Sequence, residues 1–203
     1  MATISTYSEL GTALAKWTGG AVASADTDEL IDLFEAYVNT KLRCRQMEKT
    51  SDLTPTSNVC TLPTDYLEYK RVVEKASIRR RLDYITEDAA DVLYPTRYSS
   101  LSCHFIIVGS SLTALPLSAN TIELTYYQKV PALSDANTTN WLLTAHPGLY
   151  LAGCKMYAGD LNGDDGMLAK QATIVNQFID GIHALDNRAK FGNAGITLRG
   201  HVP

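Results

Sequence analysis

Side-chain oxygens recur at positions one, three and five of Asp160-Leu161-Asn162-Gly163-Asp164-Asp165-Gly166, the spacing that opens a calcium-binding loop. The match stops there. Position six, where the sharp turn needs glycine, is Asp165, and position twelve, where a bidentate glutamate closes the site, is Gln171. The run therefore reads as a helix-to-helix turn in which Asp164 or Asp165 caps the following helix and is favoured by its dipole. Asp28, Asp32 and Glu35 lie three or four residues apart on one predicted helix, a spacing open to a divalent metal or an acid-base pair, with a solvated acidic face as the simpler reading. His104, His146, His183 and His201 share no ligand spacing, and His146, just before Pro147, reads as a turn or cap residue. Cys44, Cys60, Cys103 and Cys154 form no Cys-x-x-Cys. The adjacent Cys103-His104 would point to opposite faces of a strand, so these cysteines read as reduced and mostly buried thiols. There is no Gly-x-Ser-x-Gly, no Walker-type phosphate loop and no Gly-x-Gly-x-x-Gly. The expectation is a protein with no catalysis, no cofactor and no metal.

The chain that would position such residues has 203 of them, 45% hydrophobic and 20% charged, with a mean hydropathy of -0.09. Folding a chain of this mass shrinks accessible surface from about 32,000 to roughly 9,400 Å², enough for one full core. The length favours one domain with an inserted subdomain. No run approaches the 18 apolar residues of a membrane span. Met1-Ala2-Thr3-Ile4-Ser5-Thr6 lacks a basic segment followed by an apolar one, so it does not read as a secretion signal, and a cytosolic chain is expected. The formal charge of -4 and pI near 5.5 do not suit a protein whose main task is gripping phosphate backbones.

Periodicity predicts four helices. Tyr7, Leu10, Leu14 and Trp17 make one stripe, with Thr6 and Glu9 as a capping box. After the Gly19-Gly20 break, Asp26 and Glu29 repeat the capping pattern before a helix running to about Met47. Pro147 starts a third helix that reaches about Leu161, and Asp164 to Phe191 is the fourth, preceded by a short helical turn at Asn140-Trp141-Leu142-Leu143. From about residue 48 the chain turns to β-formers. Strands are predicted at Val59–Leu62, Leu67–Val73, Ile78–Tyr84, Cys103–Val108, Ser111–Leu115 and Thr121–Gln128, with Gly109-Ser110 as a two-residue hairpin turn and a short helix from Thr86 to Pro95. The predicted fold is α+β: a four-helix bundle from the N- and C-terminal helix pairs, a small, mostly antiparallel β-rich insertion, and an extended C-terminal tail. The predicted boundaries are 1–47, 48–133, 134–191 and 192–203.

Charge is uneven along the chain. Residues 1–35 carry Lys16 against six acids, whereas residues 41–81 carry ten bases against five acids. An acidic helical end and a basic β end suit subunits packing side by side, or a surface facing a charged partner. Lys75, Arg79, Arg80 and Arg81 are candidates for a subunit or nucleic-acid contact, beside the alternative of a solvated strand edge that blocks wrong pairing. In the tail from Gly192 to Pro203, Ile196, Leu198 and Val202 alternate enough to add a strand to another chain.

Thr6–Leu10, the run Ala36–Glu48, Leu62–Glu68, Leu124–Ser134 and above all Thr139–Leu151 resemble tailed-bacteriophage head-to-tail adaptor proteins, also called connector or head-completion proteins. The resemblance covers nearly the whole chain in order. It implies a structural virion protein that binds beneath the portal protein, usually as a homo-oligomeric ring of twelve copies, and offers a platform to the tail or to a nozzle or neck protein. It also implies that genomic DNA passes through the channel without sequence-specific binding, that no membrane is involved, and that the protein sits at the head-to-tail interface after assembly in the host cytoplasm. A tail docking on the portal would use Ile196, Leu198, Arg199 and Val202. Where the family leads us to expect a charged residue after His146-Pro147, this chain has Gly148, and Gly153 lies in the same helix. Each costs roughly 1 kcal/mol of helix stability, so with Trp141 they are candidates for close subunit packing. The alternatives are a neck or stopper protein further down the same assembly and a nucleic-acid-binding accessory protein.

Overall fold

A computed structural model describes residues 4–20, 22 and 26–191. In chain order the helices are α1 (Tyr7–Trp17), α2 (Thr27–Lys41), α3 (Glu87–Leu93), α4 (Trp141–Ala145), α5 (Pro147–Leu161) and α6 (Asp165–Phe191). The strands are β1 (Glu48–Leu53), β2 (Val59–Thr61), β3 (Tyr66–Lys75), β4 (Arg79–Tyr84), β5 (His104–Val108), β6 (Ser111–Leu115) and β7 (Ile122–Gln128). The described residues up to Gln46 and from Val130 onward make one compact unit, and Met47–Lys129 makes the other.

In the helical unit, α1 opens on the capping box: Thr6 accepts from the Glu9 N–H, and the Glu9 carboxylate accepts from the Thr6 N–H. Leu10 and Leu14 of its stripe are buried, while Trp17 is exposed with the Lys155 ammonium 5.2 Å from its ring centre. Asp26 precedes α2 without making a side-chain cap bond, and the helix ends at Lys41 rather than near Met47. Arg43 Nη1 terminates it by donating to the Asn39 and Leu42 carbonyls at 2.8 and 2.7 Å, which satisfies helix-end acceptors and lets the chain leave. Pro147 begins α5 and needs no amide partner there. Asp164 Oδ1 accepts from the Met167 N–H at 2.9 Å, the cap expected before the last helix.

The predicted four-helix bundle with a small β insertion is not what forms. The protein is α+β with six α-helices among the described residues and a seven-stranded mixed sheet in the order β1-β7-β3-β4-β5-β6-β2. Helix α5 is a hub against which α1, α2, α4 and α6 all pack. Its buried residues, including Leu149, Tyr150, Gly153, Cys154, Met156 and Ala158, surround the helix instead of forming one stripe, so it does not behave as one of four equal bundle members.

The sheet carries a core of its own. Leu53, Val72, Leu82, Phe105, Leu112 and Tyr126 belong to one buried cluster, while Ala90 of α3 joins Tyr94, Ile106 and Leu115 in a second. All strand pairs are antiparallel except β4 with β5, which run parallel because α3 and the chain after it make the crossover between them. Strand β1 was not predicted. Its sequence, Glu-Lys-Thr-Ser-Asp-Leu, buries only Leu53 because it is an edge strand, and edge strands tolerate charge.

Candidate functional site

The run Arg79-Arg80-Arg81 starts β4, directly after the three-residue loop Ala76-Ser77-Ile78 that turns back from β3. Strand alternation sends Arg79 and Arg81 to one face and Arg80 to the other. On the first face Glu123 of β7, only 10% exposed, gathers the cations. Arg71 lies 3.3 Å away, Lys75 3.4 Å away, and Arg79 donates to the same carboxylate. Lys75 also bridges to Asp52 of β1 at 2.7 Å, and this hydrogen bond holds its ammonium above the usual lysine range. Much of the positive charge concentrated in residues 41–81 is thereby matched by carboxylates that arrive on other strands. Across Met47–Lys129 nine bases face ten acids, so the sheet unit as a whole is not basic. Arg80 and Arg81 are among the exceptions. Both are exposed and form no ion pair among the described residues, with Arg80 Nη1 resting 3.4 Å from the Cys103 sulfur.

Asp28, Asp32 and Glu35 do not act as one group. Asp28 accepts from the Tyr7 hydroxyl at 2.5 Å, and burial followed by that carboxylate pushes the Tyr7 phenol up. Asp32 is exposed, as a solvated acidic face requires. Glu35 instead turns into the interior. Its Oε1 accepts from the Tyr150 hydroxyl at 2.8 Å and the Leu133 N–H at 3.1 Å, and Asn140 Nδ2 donates to the Tyr150 oxygen at 2.7 Å. Asn140 also caps α4 through the Leu143 N–H and donates to the Pro131 carbonyl. Burial raises the Glu35 pKa to about 7, partly opposed by the two donors. This network ties α2, α4, α5 and the segment 130–133 together, and its role is architectural.

Gly153 sits beneath the Phe34 ring of α2, where an added Cβ would overlap ring carbons. Gly148 faces the Phe178 ring of α6, with a Cβ position 3.1 Å from Cζ. The lack of a side chain at both positions is thus accounted for by contacts within one chain. Trp141 opens α4 with its indole N–H buried and without a hydrogen-bond partner among the described residues. His146 is the C-cap of α4, as its place before Pro147 suggested, and burial lowers its pKa. Cys44, Cys60 and Cys154 are buried and Cys103 is exposed. Burial pushes the Cys60 thiol up to about 11 and the Cys154 thiol up as well, away from nucleophilic chemistry. Ile196, Leu198, Arg199 and Val202 lie outside the described residues.

A cavity the sequence did not announce lies between the start of α2 and the end of α5. Leu30, Leu33, Tyr157 and Leu161 line it, Asp26, Glu29 and Asp160 stand at its rim, and its volume is about 180 Å³. Its two sets of lining residues lie 124 positions or more apart, so only the antiparallel packing of α2 on α5 could reveal it.

The chain matches the SU10 adaptor protein family over residues 5–198 and belongs to that family, one of phage head-to-tail adaptors. A search of the curated proteins returns no match.

Proposed function

We propose that this protein is a structural virion component that forms a ring beneath the portal and gives the next tail component its docking platform, with genomic DNA passing through the ring and no catalysis by the protein. The observation that carries this reading is the family match, which spans both compact units and reaches into the tail. Twelve copies, the number usual in the proteins it resembles, would match one adaptor to each portal subunit. The acidic balance of the helical unit, nine bases against twelve acids, suits a surface that passing DNA must not grip. The tail from Gly192 supplies alternating Ile196 and Leu198, with Val202 beyond Arg199, which suits the addition of an extended segment to the portal.

The test is retention on immobilised portal from the same genome, for the full chain and for a chain lacking residues 192–203. The full chain is expected to be retained and the truncated, still folded chain to be lost by at least tenfold. Equal retention would remove the tail as anchor, and failure of both chains to bind would remove the adaptor reading.

A further inference from the structure

We propose that the β3–β4 hairpin tip of one copy seats in the acid-rimmed cavity between α2 and α5 of the next, Ile78 acting as the apolar knob and Arg80 and Arg81 facing Asp26, Glu29 and Asp160. The proposal deepens the ring reading by naming the contact between neighbouring copies.

Ile78 is 80% exposed at the end of a three-residue loop, a place where turns ordinarily carry Gly, Asn or Asp. A β-branched apolar residue held out in solvent gains nothing from its own chain. The cavity presents the complementary deficit: Leu33 is 44% exposed and Leu161 59% exposed, on either side of an opening of about 180 Å³, room for one aliphatic side chain. An apolar anchor in a lined pocket is the usual centre of a protein interface. Charge points the same way. Arg79 is held by Glu123, but Arg80 and Arg81 form no ion pair among the described residues, and neither do Asp26, Glu29 and Asp160. Two unmatched cations flank the knob and three unmatched carboxylates surround the hole, so a second copy is the occupant whose charge fits both. Because knob and hole are different surfaces, the contact is heterologous: it repeats from copy to copy and closes into a ring when the rotation between copies closes.

Cross-linking of the full-length protein on portal reads this directly. In a Cys103→Ser background, Ile78→Cys and Leu161→Cys are introduced singly and together and treated with a short bismaleimide. The double variant is expected to give a ladder of covalent multimers, each single variant no specific product, and an equal mixture of the two singles dimers only. Arg80→Glu with Arg81→Glu should reduce the ladder at least tenfold, and adding Glu29→Lys and Asp160→Lys to that chain should restore it to within twofold. Dimers from Ile78→Cys alone, a monomer cross-linked to itself, or a ladder indifferent to charge reversal would each overturn the proposal. So would a charge reversal that abolishes retention on DNA yet leaves the ladder intact, which would assign the arginines to nucleic acid. Retention on portal without the ladder refutes this contact alone, whereas loss of portal retention in the unaltered protein refutes the adaptor reading beneath it.

Discussion

Two buried carboxylates, Glu35 of the helical unit and Glu123 of the sheet unit, are held in opposite ways, although each unit also contains the other arrangement. Glu74 of the sheet unit accepts from Ser102 and Asn120, and Asp186 of the helical unit pairs with Arg45 and Lys190. In the helical unit Glu35 is an interior carboxylate whose described hydrogen-bond donors are a phenol and a backbone amide, with no described cation paired to it, and its pKa rises to about 7. In the sheet unit Glu123 is nearly as buried but lies among Arg71, Lys75 and Arg79. Neutral donors can satisfy a carboxylate's hydrogen-bonding needs, but they offset its desolvation less than a full positive charge does. The contribution of Glu35 should therefore respond to pH and that of Glu123 to salt.

The largest expected effect comes from Glu35. Its folded pKa of about 7 lies above the ordinary value of 4.5, so the folded chain holds a proton that the unfolded chain releases. The contribution of this group to stability is intact below about pH 4.5 and falls as pH rises to about 7, by roughly 3 kcal/mol. Glu35→Gln keeps an acceptor for Tyr150 and Leu133 and should flatten that slope in denaturant titrations between pH 4.5 and 7.5. An unchanged slope would mean that Glu35 ionises normally. Next is Gly153→Ala. At an open helix position this exchange stabilises by about 1 kcal/mol, but here the new methyl group meets the Phe34 ring and should destabilise by roughly 2 kcal/mol in thermal unfolding. Gly148→Ala is the control, because the end of the Phe178 ring can give way. The smallest effect is Glu123→Gln, about 1 kcal/mol at low ionic strength because its cationic partners are largely exposed, and it should shrink further in 1 M salt. A salt-independent loss would mean that Glu123 works by packing and not by charge.

Element positions were largely legible in the sequence because they rest on local signals: the Thr6/Glu9 box, Pro147 as the first residue of α5, Gly109-Ser110 between β5 and β6, and Thr86 before α3. The architecture was misread. A four-helix bundle follows from counting helices, whereas burial around the whole of α5 makes it a hub, and that is visible only once its neighbours are placed. Strand β1 carries no alternation to read because only its last residue, Leu53, is buried. The basic run was visible, but the cancelling acids Asp52 and Glu123 come from strands distant in sequence, so local charge could not separate Arg79, which is paired, from Arg80 and Arg81. Glu35 looked like part of an acidic face because helical spacing places it near Asp32, and the tertiary partner that draws it inward, Tyr150, is 115 residues away.

The central claim, that this chain is a head-to-tail adaptor, is tested most directly by cryo-electron microscopy of the protein mixed with the portal from the same genome. The expected result is a closed ring under the portal with residues 192–203 ordered against it. Portal particles free of added density, at protein concentrations well above those of the portal, would contradict it.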